Sequence, residues 1–354
     1  MDESKKFNQQ FEAFTLNPKE FYVLSSLQSF LVSIDIDETK DPSLREKKIK
    51  WRDLWHSQVF KPGIFGFFSE KAPQTIDELI KRLNDIKPKE RLALILVESA
   101  LFTPYFNIQM KGGPTKDDVL TEENRDQWQT NLMKIADKLK EGNWIHPKLV
   151  GFIEIFSNEF RTIEPRKFST ATRVGIGVSV GALAMMLTGG AAAPVVGGMI
   201  GSLMGFSGAA ATSAGLAFLG GGAMTTGGLG MAGGTTFIIG GAGILGGYLG
   251  TSLAGGAAGS RTMYAHSNAI LIQASKLNAV IKSEIFELDR SRKLAFEIID
   301  AYTSEIEKLK TTIDELESID PESGDIELIA QEIKTLEKSM KIFLGAKESL
   351  LKWL

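Results

Sequence analysis

The sequence contains no cysteine, which excludes disulfides, thiolate nucleophiles and the common structural zinc sites. Histidine is scarce too: His56, His146 and His266 stand far apart, so a histidine-rich metal site would have to be assembled by the fold. No H-E-x-x-H motif occurs, and no G-K-[ST] follows a glycine-rich turn, so the zinc-protease and phosphate-loop signatures are absent. There is no excess of positive charge either. The formal net charge of −3 gives no basic signature for nucleic acid.

The most informative absence is local. Between Arg173 and Arg261 lie 87 residues without a single Asp, Glu, Lys, Arg, His, Asn or Gln, and these hold 28 of the 36 glycines in the chain. The mean hydropathy near zero therefore averages two unlike parts. Outside 174–260 the composition is that of a soluble, helix-rich protein. The start, MDESKKFNQQFEAF, is polar with no apolar core of the signal-peptide kind, which predicts synthesis and initial residence in the cytosol.

Four readings compete for the uncharged stretch. A flexible tether would be rich in glycine and serine, whereas these glycines alternate with Leu, Ile, Val, Phe and Met, a poor composition for an unfolded linker in water. Gly228-Leu-Gly230-Met-Ala-Gly233 and Gly241-Ala-Gly243-Ile-Leu-Gly246 both spell G-x-G-x-x-G. Neither has an acidic residue about 20 positions on or a βα alternation around it, and no cofactor is expected. A dry core of helical hairpins in a soluble protein is the third reading. It must offset up to about 1 kcal/mol for each interior helical glycine relative to alanine.

The fourth reading, insertion into a bilayer, accounts for most features. In hydrocarbon an unpaired backbone group is so costly that helix is enforced despite the glycines, and small residues become the surface through which helices touch. Gly177 and Gly181, Gly197, Gly201 and Gly205, Gly243 and Gly247, and Gly246 and Gly250 stand four apart. This G-x-x-x-G spacing lines one helical face. The stretch divides into four spans of about 20 residues, the length a roughly 30 Å core requires, near 174–193, 195–214, 216–236 and 237–257, with Pro194 and the glycines at 220–222 as breaks. Two spans with re-entrant or surface-lying parts fit as well. Arg166, Lys167 and Arg173 before the stretch and Arg261 after it put both ends on the cytosolic face and imply an even number of spans.

Around this segment the patterning is helical. Residues 1–165 form one expected cytosolic helical domain. It has a buried helix at Phe21–Asp37 ending near Ser33, an amphipathic helix carrying Ile49, Trp51, Leu54, Trp55 and Val59, and a helix capped by Thr75 with Glu78 three residues later. A core helix follows Pro88, another runs from a Thr121 cap to a Gly142 stop, and a short one follows Pro147. Residues 261–354 read as a long amphipathic helical hairpin. No glycine or proline interrupts Arg261–Asp320, which predicts one helix of about 90 Å or two nearly continuous ones, before Pro321 and Gly324 turn the chain back.

Candidate catalytic groups are few. Asp53 and His56 are three apart and able to pair on a helix, though a surface pair or packing histidine is the commoner outcome. His146 before Pro147 suits a cap or a packing position, and His266 suits an interfacial or pH-responsive group. Glu98 has Leu94, Ile95, Leu101 and Phe102 as its helical neighbours, so its carboxylate should reach solvent or a hydrogen bond at the core's edge. Trp353 beside Lys352 suits either contact with a membrane surface or a cover over the bundle. None of these amounts to a catalytic set, and a non-enzyme is expected.

The repeated G-x-x-x-G spacing within 174–260 resembles the glycine-zipper membrane segments of bacterial membrane-active proteins. An apolar hairpin followed by a long helix is similar to the α-helical pore-forming toxins. That resemblance implies conditional membrane insertion and homo-oligomerisation, as a toxin or antiviral defence effector. The expected protein is thus all-α: a helical bundle with a long C-terminal helical hairpin and a glycine-rich apolar helical-hairpin membrane segment. It would associate with or insert in the inner (cytoplasmic) membrane, with the lipid bilayer, further copies of itself and a regulatory protein as partners and no nucleic acid. The alternative is a non-pore membrane-anchored scaffold that binds a partner.

Overall fold

The structure is a computed structural model. It describes residues 12–14, 16–60, 75–102, 104–105, 122–163, 274–318 and 326–354, with single positions at 73, 210, 213 and 271. Every regular element among the described residues is helical, and the all-α expectation holds for them.

A short 3-10 turn at Glu12–Phe14 leads into α1, Pro18–Glu38. Asn17 caps it by accepting from the Glu20 amide at 3.0 Å, while the Glu20 carboxylate accepts from the Asn17 amide at 2.8 Å. The two contacts satisfy orphan donors reciprocally. The helix continues to Glu38, past the expected end at Ser33, because Ile36 is buried and holds the last turn in the core. α2, Pro42–Val59, places Trp51 inside against the Tyr105 ring. α3, Ile76–Asn84, starts at the expected Thr75 cap, whose hydroxyl accepts from the Glu78 amide at 3.2 Å, and buries Leu79 and Leu83.

α4, Lys89–Leu101, lies in the core of the N-terminal helices. Every residue from Leu92 to Leu101 is buried, and it packs on α1. It also packs on α5, Glu122–Ala136, and on α6, Gly142–Ile163. The expected single helix from Thr121 to Gly142 is instead interrupted at 137–141. Gly142 is the first residue of α6 rather than a stop, and a Cβ there would lie 2.7 Å from the Ala136 carbonyl oxygen. The close approach of two chain segments, and not helix termination, is what this glycine serves.

Three helices complete the bundle: α7 at 274–282, α8 at Leu288–Glu317 and α9 at Ile326–Trp353. The run to Asp320, expected as one helix or two nearly continuous ones, is broken at 283–287, where Glu284 takes a φ of 56°. α8 alone is therefore about 45 Å long at 1.5 Å per residue. It doubles back so that the Tyr302 hydroxyl reaches the Ala274 carbonyl at 3.4 Å and the Asn278 side-chain oxygen at 3.2 Å. α8 and α9 pack along each other, with the Tyr302 ring 5.7 Å from that of Phe343. The helices before and after the uncharged stretch share one hydrophobic core.

Candidate functional site

α7 follows the uncharged stretch, which ends at 260; its described residues are 274–282, and Leu271 just before them is helical and buried as well. Its residues 274–281 are all buried, yet it carries Ser275, Lys276, Asn278 and Lys282. A buried helix at an ordinary core position would be apolar all round. At 3.6 residues per turn Lys276 points nearly opposite to Asn278 and about 120° from Lys282, and the contacts follow that division.

On one side the Lys276 ammonium meets the Glu98 carboxylate of α4 as an ion pair, with both side chains less than a tenth exposed. Beyond that contact neither Lys276 Nζ nor Glu98 Oε2 has a protein hydrogen-bond partner. The same is true of the neighbouring buried hydroxyls of Ser99 and Ser275. Burial raises the pKa of Glu98 and lowers that of Lys276, in each case more than the partner's opposite charge restores it.

On the other side Glu159 of α6 is fully engaged. It accepts from the Asn278 amide at 2.9 Å, from Lys282 Nζ at 2.8 Å and from the Ser349 hydroxyl of α9 at 2.9 Å. Asn278 also donates to the Ala346 carbonyl at 2.9 Å, and Lys282 donates to the Ser349 carbonyl at 2.9 Å. Burial, with the Glu159 charge adding to it, raises the pKa of Tyr302, so its hydroxyl stays a neutral donor. α7 is thus gripped from two sides by polar contacts, one set complete and the other incomplete. Such pairs add little net stability against hydrophobic replacement, but breaking one by removing a partner costs about 3–5 kcal/mol.

Glu98 lies deeper than its sequence neighbours suggest and reaches neither solvent nor the edge of the core. Its partner Lys276 went unrecognised, as did Glu159, Asn278 and Lys282. The available signal was the i, i+4 pair Asn278 and Lys282 inside a strongly apolar helical pattern, together with a carboxylate at Glu159 between Phe156 and Phe160.

Asp53 and His56 do not pair. Asp53 accepts from the neighbouring Arg52 at 2.9 Å, and His56 Nε2 lies 2.5 Å from the Ser29 hydroxyl. Burial, helped by Arg52, pushes the His56 pKa down to about 4. His146 sits in the first turns of α6 and pairs with Asp137. Trp353 is partly buried against the core and covers the bundle. No group of three or more His, Cys, Asp and Glu suited to a metal occurs among the described residues.

Gly177, Gly181, Gly197, Gly201, Gly205, Gly243, Gly246, Gly247 and Gly250, the flanking Arg166, Lys167, Arg173 and Arg261, and His266 all lie outside the described residues. So does Gly177-Val-Ser179-Val-Gly181, which spells G-x-S-x-G in a stretch so rich in glycine that such matches arise by chance. Among the described residues no helix is long and apolar enough to cross a membrane. No protein-family model, curated protein or solved structure matches the chain.

Proposed function

We propose that this protein is a membrane-inserting effector that forms a pore in, or disrupts, a bilayer through oligomerising glycine-zipper helices. The observation that carries the reading is the 87-residue uncharged stretch at 174–260 with its repeated four-residue glycine spacing. A bilayer makes helix obligatory for such a sequence and turns its glycine faces into contact surfaces. Its apolar drive is weak for a membrane segment because glycine, alanine, serine and threonine dilute the larger side chains. Such a segment suits two states, one shielded by the amphipathic helices of the chain and one inserted. The polar contacts that hold α7 behind it support a resting state built to be left. In the inserted state helical hairpins from several copies pack glycine face to glycine face in the cytoplasmic membrane, and the α8–α9 hairpin lies behind them.

Dye release from liposomes tests this. The full chain should release a trapped dye, and Gly197, Gly201 and Gly205 changed together to leucine should abolish release while leaving the helical bundle folded by circular dichroism. Release unaffected by the triple substitution sinks the zipper mechanism. Binding to vesicles without any release points instead to an anchored scaffold.

A further inference from the structure

We propose that α7 is an autoinhibitory latch whose undocking from α4 and α6 frees the uncharged stretch for insertion, with the dry Glu98–Lys276 contact as the point of release. The inference rests on the proposed membrane activity and adds the element that controls it.

Three observations converge on α7. It lies 14 positions past the end of the stretch in the sequence, so its undocking would release the chain that leads into it. It is buried along its length and yet bears polar groups on opposed sides, each matched to a different helix: Lys276 to α4, and Asn278 and Lys282 to α6 and α9. Four buried polar side-chain atoms, on the Glu98–Lys276 pair and on its sequence neighbours Ser99 and Ser275, lack a protein hydrogen-bond partner. A helix held only by Ala274, Leu277, Val280 and Ile281 would gain from apolar residues at 275 and 276, since a buried pair rarely outperforms a hydrophobic replacement. What the pair supplies is a fixed register with a low net cost of opening. Docked, each charge is compensated by the other; undocked, each regains its full hydration. The two sides are unequal, and the incomplete one is where separation restores the most solvation.

The lack of cysteine makes the test clean. Ser275 is fully buried and its hydroxyl has no protein partner, so Ser275→Cys places a single thiol on α7 without removing an interaction. In the full-length S275C chain a water-soluble maleimide should label slowly in buffer. Labelling should become about tenfold faster when vesicles of phosphatidylethanolamine and phosphatidylglycerol are added, as local opening exposes the site. Adding Glu98→Gln strands Lys276, and labelling in buffer should rise by at least about 100-fold, the lower end of the population change expected for a broken buried pair. Glu98→Leu with Lys276→Met should instead keep the thiol protected in the presence of vesicles and suppress dye release. This double variant keeps the idea testable if E98Q does not fold.

A thiol that stays protected on vesicles that leak overturns the latch and leaves the pore reading standing. A thiol that becomes exposed on vesicles that never leak overturns the pore reading and leaves the latch standing. Protection without leakage, or faster leakage from the double variant, also overturns the latch.

Discussion

Lys282 on α7 donates to Glu159 on α6 at 2.8 Å, and the same Glu159 oxygen accepts the Ser349 hydroxyl of α9 at 2.9 Å. One carboxylate oxygen therefore ties together three helices from both sides of the uncharged stretch. The other oxygen takes the Asn278 amide, so the acid is satisfied as an ion, which offsets its removal from water.

Glu159→Ala should be among the most destabilising changes to a charged residue in this chain. It leaves Lys282 with only Ser349 and the Asn278 amide nitrogen with only the Ala346 carbonyl to donate to, and breaking such a network by removing one partner costs about 3–5 kcal/mol. Glu159→Gln should cost less, since a neutral oxygen still accepts. Urea denaturation of the two variants measures the difference, and equal midpoints would show that the network is not coupled.

Two glycines of α6 should respond in opposite ways to alanine. At Gly142 a Cβ would sit 2.7 Å from the Ala136 carbonyl oxygen and 3.1 Å from that of Asp137. These are backbone atoms that cannot swing aside, so Gly142→Ala should destabilise by about 1–3 kcal/mol through forced displacement. Gly151 lies in the interior of the same helix with nothing within 4 Å of a Cβ, and Gly151→Ala should stabilise by about 0.5–1 kcal/mol on helix propensity alone. Thermal melts of both variants decide it, and a shift of the same sign in both contradicts the packing described.

How much of this was legible in the sequence depended on whether the deciding interaction was local. Thr75 and Glu78 announced the start of α3 because a cap is made within four residues. The apolar run from Leu92 marked α4 as a core helix for the same reason. The break at 283–287 was hidden: it uses neither glycine nor proline, and Glu284 enters the left-handed region within a run whose apolar spacing continues through Ile285 to Leu288. Leu288 continues that spacing yet is more than half exposed. Gly142 read as a helix end because the close approach of Ala136 is a property of two segments packed together. The Glu98–Lys276 contact was beyond reach in the same way. Local pattern shows a carboxylate among apolar neighbours, but only the folded bundle selects which lysine meets it.

Glu284 gives that hidden break a measurable cost. A non-glycine residue at φ 56° carries about 1–2 kcal/mol of backbone strain. Among the described residues its carboxylate is met by Lys148, which donates at 2.7 Å in an exposed ion pair, a kind of contact worth about 0–1 kcal/mol. Glu284→Gly should therefore leave stability unchanged or raise it by up to about 1 kcal/mol. Glu284→Val should lower it, because a β-branched residue resists this conformation. A urea midpoint for the glycine variant clearly below that of the parent would contradict the turn.

His56 should make the bundle sensitive to mild acid. Its ring lies against Phe60, with centroids 5.4 Å apart, and its Nε2 is 2.5 Å from the Ser29 hydroxyl. A neutral ring can accept that hydrogen at Nε2, whereas a protonated one cannot. Burial, then the Arg52 charge, lower its pKa from 6.5 to about 4, with Asp53 opposing. Because the folded value is the lower one, the unfolded chain binds the extra proton first. The stabilising contribution is thus fully present above about 6.5 and is lost progressively as pH falls towards 4. The ring is only partly buried, so solvent screening reduces the effect to the order of 1–2 kcal/mol. His56→Gln keeps a polar partner for Ser29 but cannot titrate, so its stability should fall less between pH 7 and pH 4.5 than that of the parent chain. The carboxylates contribute alike to both proteins and cancel in the comparison. Identical losses over that interval would show that the His56 proton is not what the fold excludes.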